Sequence, residues 1–288
     1  MNVGIFIQAR KAKGLSQIEL SEGICTQTTL SRFENNGNTP SLKILMALCD
    51  RLDFPIGDLF PKVGVVDSVL KDKLDSIEFL LITSDYKKAI ELLKEISSLE
   101  DEDLESRLRL NYLEGFLMIY TDALMNDIFF KFDQVLLESE STDYLIYRLL
   151  AFTGNGMIYL KNDDKEKAHY YFTKVLASIY TYTAKTMEDV WRILHILFQS
   201  GVFYARCEDY TLSNTLLEYG VRICSDNHIT YYLARIVYQL AHNAVAEELD
   251  AVKIIELIND ARAFAKINRN KNLLREIDLL ERKVLEEQ

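Results

Sequence analysis

Residues 62–288 contain no proline, because the three prolines of the chain are Pro40, Pro55 and Pro61. At average usage of about 5%, a stretch of that length would hold roughly eleven. Proline removes a backbone donor and clashes with the preceding helical turn, so its absence leaves helices free to run. An all-β sandwich punctuated by proline and glycine turns is excluded on the same ground. A low-complexity tail is excluded too, since 49% of the residues are apolar. An all-α chain of long helices with short connections is expected. The step near Pro61 also divides the charge. Residues 1–61 hold six Lys/Arg and six Asp/Glu, so the whole net charge of −11 lies beyond them, as do all sixteen tyrosines. Two domains with different tasks follow: a head over 1–61 and a body over 73–288, with 62–72 as linker.

Several function classes drop out early. There is no apolar run of about 18 residues to cross a membrane, and the start lacks the order of a signal peptide. Cys25, Cys49, Cys207 and Cys224 have no CxxC spacing, which fits reduced thiols in a cytoplasmic protein. HExxH, GxSxG, GxxxxGKS/T and GxGxxG are all missing, and His169, His195, His228 and His242 have no metal-ligand spacing. No catalysis, metal or cofactor is therefore expected. The pair Asp163-Asp164 falls in a turn, where a capping role is expected.

The head reads as five short helices. Val3, Ile5, Phe6 and Ala9 precede a basic patch, and Gly14 closes the first helix. Ser16 with Glu19 has the spacing of a capping box, opening a second helix whose Ile18, Leu20 and Ser21 turn towards a core. Gly23-Ile24-Cys25 makes a turn. A third helix runs from about Thr26 to Glu34, with Leu30 and Phe33 on the buried side and Asn35-Asn36-Gly37 as its stop. Ser41 caps a fourth, and Phe54-Pro55-Ile56 leads to a fifth turn ending at Phe60. A short polar helix reached through a tight glycine turn is the helix-turn-helix layout. Gln27, Thr28 and Arg32 lie on its outer side. Glutamine pairs with adenine, threonine meets a thymine methyl, and arginine reads guanine or holds phosphate. Gln17 stands at the start of the second helix, placed to touch backbone phosphate. Arg10, Lys11, Lys13, Arg32 and Lys43 are expected to gather on that side.

GLSQIELSEGI and TTLSRFENNGNTPSL resemble the Xre/Cro-type helix-turn-helix over roughly residues 4–60. The turn around Ile24-Cys25-Thr26-Gln27 is one residue shorter than the common pattern, and in this it is more similar to the PlcR-type regulators.

The body repeats. Phe152, Gly156, Tyr159, Ala168 and Phe172 have the spacing of a tetratricopeptide unit. Leu197, Gly201, Tyr204, Ser213 and Leu217 repeat it, and Tyr238, His242, Val245, Ile254 and Ile258 do so more weakly. Counting Ala89 and about Phe130 as further second-helix positions gives five helix pairs, with a capping helix from Lys271 whose Leu273, Ile277, Leu280 and Val284 share a face. The first helix of each pair lines the inner face of such a solenoid. That face is expected to carry Thr153 and Met157, then His195, Phe198, Gln199 and Val202, then Ile236, Gln239 and Asn243, with Asn155 at its flank and Tyr112 and Phe116 from the second pair. Amides match the alternating N–H and C=O of an extended peptide, and apolar groups between them read side chains.

This combination resembles the peptide-pheromone-responsive regulators of the PlcR/Rgg group. The resemblance implies a cytoplasmic homodimer on a palindromic operator in double-stranded DNA, controlled by a short linear signalling peptide in quorum sensing, with no membrane partner. Carried onto this chain, it makes Gln17, Thr26, Gln27, Thr28 and Arg32 the DNA-binding residues. It makes Gln199, Gln239 and Asn243 the holders of peptide backbone. Two other readings remain open: a solenoid that docks a protein, or one that antagonises or dephosphorylates a signalling protein.

Overall fold

The computed structural model describes residues 3–36, 39–54, 65–96, 103–121 and 123–286. Among them are fifteen α-helices and no strand, and no helix is long and apolar enough to cross a membrane. The chain divides into two compact units, Met1–Ser68 and Val69–Gln288.

In the first unit, α1 (Val3–Ala12), α2 (Gln17–Ser21), α3 (Gln27–Asn36) and α4 (Leu42–Arg51) enclose a small core. Phe6, Leu20, Leu30, Phe33, Leu45 and Leu48 are fully or almost fully buried. Phe6 meets Phe33 edge to face, with ring centroids 5.2 Å apart. Ser16 caps α2 by accepting from the Glu19 amide while the Glu19 carboxylate takes the Ser16 amide. Gly14 (φ 68) and Gly23 (φ 71) occupy left-handed positions at the two turns, where a Cβ is strained. Ile18 departs from expectation, being 70% exposed. Helix α2 is a single turn whose buried face is filled by Leu20 and Ser21, and a residue two places ahead of Leu20 points about 200° away. Gly37, Pro55, Pro61 and the fifth turn expected over 55–60 lie outside the described residues.

The body begins with α5 (Val65–Ile82), joined by a tight turn to α6 (Tyr86–Leu93). The pairs α7 (Leu104–Ile119) and α8 (Met125–Glu138), α9 (Leu145–Lys161) and α10 (Lys165–Ile179), α11 (Met187–Arg206) and α12 (Tyr210–Asp226), and α13 (Leu233–Ala246) and α14 (Ala251–Ile267) follow. Helix α15 (Lys271–Glu286) closes the series and buries Leu273, Ile277, Leu280 and Val284. The first helices α7, α9, α11 and α13 pack one on the next and form an inner row.

Small residues on that row are plugged by large ones on the second helices. A Cβ at Gly156 would stand 2.7 Å from the Phe172 ring, one at Gly201 2.8 Å from Leu217, and one at Gly115 2.7 Å from Phe132. The same Phe132 ring would be overlapped by a Cβ at Gly154. The plug of the second pair is thus Phe132, which is fully buried, whereas Phe130 is 59% exposed. The spacing from Gly115 to Phe132 is a residue longer than from Gly156 to Phe172 or from Gly201 to Leu217, and the residue four before the plug, equivalent to Ala168, is the buried Ile128 rather than Phe130. Turns between paired helices use no glycine. Ser84, Asp163, Glu208 and Glu248 sit at left-handed φ of 63, 59, 64 and 53. Each is followed by an amide that reaches five residues back, as Asp164 N to Tyr159 O at 2.9 Å and Asp209 N to Tyr204 O at 3.0 Å. This is the Schellman closure. Asp164 and Asp209 then cap the next helix by accepting from Lys167 N and Leu212 N.

Candidate DNA interface and peptide groove

In the head, α3 presents Gln27, Thr28 and Arg32 to solvent. Behind Gln27 runs a chain of hydrogen bonds that begins in the core. Arg10 clamps the Glu34 carboxylate, Nε to Oε1 at 2.7 Å and Nη2 to Oε2 at 2.8 Å. Gln17 Nε2 donates to Glu34 Oε2 at 2.8 Å, and Gln27 Nε2 donates to Gln17 Oε1 at 2.9 Å. The Gln27 amide therefore keeps its oxygen and one N–H for an outside partner, in an orientation fixed by its neighbours. Thr26 accepts from the Thr29 amide at 3.2 Å and shares a hydroxyl contact with Thr29 at 2.8 Å.

The expected gathering of basic residues is only partly met. Arg10 is buried and committed to Glu34 and to Leu15 O. Lys13 bonds Asp53 and Arg51 O. Lys11, Arg32 and Lys43 are the exposed cations of that set free of such bonds among the described residues. Spacing alone could not separate a cation that holds the fold from one that meets a partner.

In the body, the inner row opens into a groove of about 400 Å³ whose walls include Met157 of α9, Phe198, Gln199 and Val202 of α11, and Arg235, Tyr238 and Gln239 of α13. Tyr86 and Tyr120 close one side, stacked at 4.2 Å with planes 8° apart. Two further hollows share its lining. One continues past Tyr120, Met157 and Gln199 to Lys161 and Arg206, with about 350 Å³. The other continues past Val202, Tyr238 and Gln239 to His242 and Asn243, with about 310 Å³. Gln199 Nε2 donates to Tyr120 Oη at 3.3 Å. Burial and the neighbouring Tyr86 raise the Tyr120 hydroxyl well above the ordinary phenol range, so it stays protonated at neutral pH.

Residues 6–59 match the family model HTH_3, described as helix-turn-helix. No curated protein matches the chain. Among solved structures, Bacillus thuringiensis PlcR in complex with the peptide PapR7 and DNA is similar at TM-score 0.65 and 17% identity, over 96% of this chain and 98% of that one. PlcR in its apo form gives 0.61 at 15%, over 93% and 97%. The competence regulator ComR from Streptococcus vestibularis, in complex with its cognate signalling peptide XIP, gives 0.60 at 16%, over 98% and 97%. Residues 6–59 match a helix-turn-helix, and the chain as a whole has the PlcR fold.

On this PlcR fold the twelve residues expected at the groove separate into those that line it, Val202 among them, and those that do not. Met157, Phe198, Gln199 and Gln239 line it. Thr153, Asn155 and His195 are buried and are absent from the walls of all three hollows. Thr153 Oγ1 donates back to Leu149 O at 2.8 Å within its own helix. Asn243 borders the third hollow but is only 1% exposed. Both of its N–H donors are spent, on Ser213 Oγ at 2.8 Å and Asn214 Oδ1 at 2.7 Å, and its oxygen accepts from Gln239 Nε2 at 2.9 Å. It braces Gln239. Tyr112, Phe116 and Ile236, counted to the same face, are core residues.

His195 lies beneath the groove, its Nδ1 3.1 Å from Tyr232 Oη and its ring edge-on to Phe116. Burial, reinforced by the Arg235 charge, pushes its pKa down to about 3. The unfolded chain takes up this proton near pH 6.5 and the folded chain only near 3. Folding stability is therefore lost as pH falls through that window, by up to about 1.4 kcal/mol per pH unit from this one group. His195→Gln is expected to flatten the dependence of unfolding free energy on pH between about 6 and 4, as measured by urea denaturation. An unchanged slope would contradict the assignment.

One cluster under the groove was not anticipated. Glu78 of α5 is 2% exposed and holds two arginines. Arg192 of α11 pairs with it at 2.9 and 3.1 Å and Arg109 of α7 at 2.7 Å. Arg192 also meets Asp189 at 3.1 Å and lies over the Tyr147 ring at 5.0 Å. The sequence signal was present: Glu78 interrupts the apolar run Ile77 to Ile82, and Arg192 interrupts Val190 to Leu197. A charge inside an amphipathic core face needs a buried partner.

Proposed function

We propose that the chain is a sequence-specific DNA-binding transcriptional regulator whose operator affinity is set by a short linear peptide held in the body's groove. The head, residues 1–61, reads DNA, 62–72 link it onward, and 73–288 hold the peptide and pair two copies on a palindromic site. The observation that carries this reading is the run of three adjoining hollows along the inner row. Their walls bring together amide, aromatic and apolar groups, the kinds that an extended backbone and its side chains can use. The head supports it through the oriented Gln27 amide beside Thr28 and the exposed Arg32.

In this reading Gln27, Thr28 and Arg32 touch bases, while Gln17 and Thr26 stand near phosphate. Met157, Phe198, Gln199 and Gln239 touch peptide, with Thr153, Asn155, His195 and Asn243 supporting them from behind. A peptide that binds one arrangement of the inner helices better than another shifts the population, and DNA affinity follows by linkage.

Full-length protein selected against a pool of randomised duplexes is expected to enrich a two-fold symmetric site. Gln27→Ala and Arg32→Ala should each weaken binding to that site by about 1–3 kcal/mol in fluorescence anisotropy and relax the preference at one base pair per half-site. Gln199→Ala combined with Gln239→Ala should leave peptide-free DNA affinity unchanged and remove the response to peptide. Enrichment of no sequence, or a response that survives the double substitution, would overturn the reading.

A further inference from the structure

The groove's walls are not electrically neutral. Arg235 lines its main hollow and Arg206 and Lys161 the adjoining one, against a single carboxylate, Glu276. These cations stand out in a chain of net charge −11. Lys161 is tied to Ile119 O at 2.9 Å. Arg235 is different. Of the body's other buried or half-buried arginines, Arg109 and Arg192 pair with Glu78, Arg107 with Glu138 and Arg262 with Glu281, while Arg148, outside the groove, reaches the Glu140 carbonyl at 3.5 Å. The half-buried Arg235 guanidinium has no carboxylate partner among the described residues. It lines the main hollow, and its charge acts on the buried Tyr120 and Tyr232 hydroxyls and on the His195 ring. A guanidinium that lines a groove without a carboxylate partner can take an anion in a charge-assisted, bidentate pair. Around it stand amide groups, Gln239, Asn270 and Asn272, and the rings of Tyr86, Tyr120 and Tyr238.

We infer that the groove selects peptides that place a carboxylate on Arg235, flanked by apolar or aromatic side chains over Tyr86, Tyr120 and Phe198. This rests on the peptide reading given above and narrows it to a ligand chemistry. The carboxylate is either the free C-terminus of the peptide or an Asp/Glu side chain, and both present the same two oxygens to the guanidinium fork.

The test uses the full-length protein and three random heptapeptide libraries: free acids, C-terminal amides, and free acids lacking Asp and Glu. Retained peptides are identified by mass spectrometry. Loss of the carboxylate that Arg235 takes should reduce retention by about tenfold to a hundredfold, the range for a hydrogen bond to a charged group. Failure of the amide library alone assigns the C-terminus, and failure of the Asp/Glu-free library alone assigns a side chain; either supports the inference. Arg235→Lys should keep the selectivity in weakened form. Arg235→Glu should reverse it, retaining peptides rich in Lys and Arg. Equal retention of all three libraries would overturn the carboxylate assignment while leaving peptide binding standing. Retention of no peptide from any library would overturn the peptide reading itself.

Discussion

Glu78→Ala is expected to destabilise the body by about 3–5 kcal/mol, the cost of stripping one partner from a buried ion cluster. The substitution leaves the guanidinium groups of Arg109 and Arg192, 4% and 5% exposed, facing each other without the carboxylate that lies between them. For a unit of this size the loss corresponds to a fall in melting temperature of roughly 6–20 °C. Burial alone would raise the Glu78 carboxyl, but the charges of Arg192 and Arg109 and the bonds from Arg192 outweigh it and hold the group below its ordinary range. Its contribution is thus fully present above pH 4.5 and lost as pH falls below it. Lys88→Ala, at a solvent-exposed pair with Asp85, should leave the melting temperature nearly unmoved. A Glu78→Ala variant that melts with the wild type would show that the cluster holds nothing together. Because Glu78 joins α5 to α7 and α11, the groove-lining helix, it should also blunt any peptide response.

The second large effect concerns the interlock of the second and third helix pairs. Phe132→Ala should cost about 3–5 kcal/mol, since this fully buried ring fills the notch left by Gly115 and Gly154 and meets Phe116 at 5.2 Å. Gly154→Ala should cost about 1–3 kcal/mol through overpacking, because the new methyl would overlap the same ring. The combination should cost clearly less than the two changes together, as the methyl moves into space the ring has vacated. Urea denaturation of the four proteins measures the coupling. Strict additivity would mean that Phe132 does not pack on Gly154.

How much of this was legible in the sequence depends on the range over which each signal acts. The helical class followed from proline alone, and the Gly156–Phe172 and Gly201–Leu217 interlocks from spacing, because both partners lie within one unit. In the second pair the position equivalent to Ala168 was counted at about Phe130 and lies at Ile128, because the spacing from Gly115 to its plug Phe132 differs from that of the next two pairs and each residue of offset turns a side chain by 100°. In the head, the Ser16–Glu19 cap was readable, whereas the inward turn of Arg10 was not. Its partner Glu34 lies two helices away, and nothing local distinguishes a buried cation from an exposed one. The groove shows the same limit. A count along each helix put Gln199 and Gln239 at the surface that lines it, but also put Thr153 and His195 there and Asn155 at its flank. Those positions turn towards neighbouring helices, and a helical wheel does not report how closely the next helix approaches. Asn243 was on the correct face and is consumed by Ser213 and Asn214, partners some thirty residues away in the preceding pair.

The most direct test of the account is operator affinity measured with and without peptide on the same full-length protein. The operator is the duplex enriched from the randomised pool, and the peptide is the heptapeptide most strongly retained from the free-acid library. Linkage requires that peptide change the affinity for DNA by the same factor as DNA changes the affinity for peptide. Regulatory coupling of about 1–3 kcal/mol predicts a shift of roughly 5–150-fold in both titrations, absent in the Gln199→Ala, Gln239→Ala protein. Peptide that binds the groove and leaves operator affinity unchanged in both directions would contradict the account.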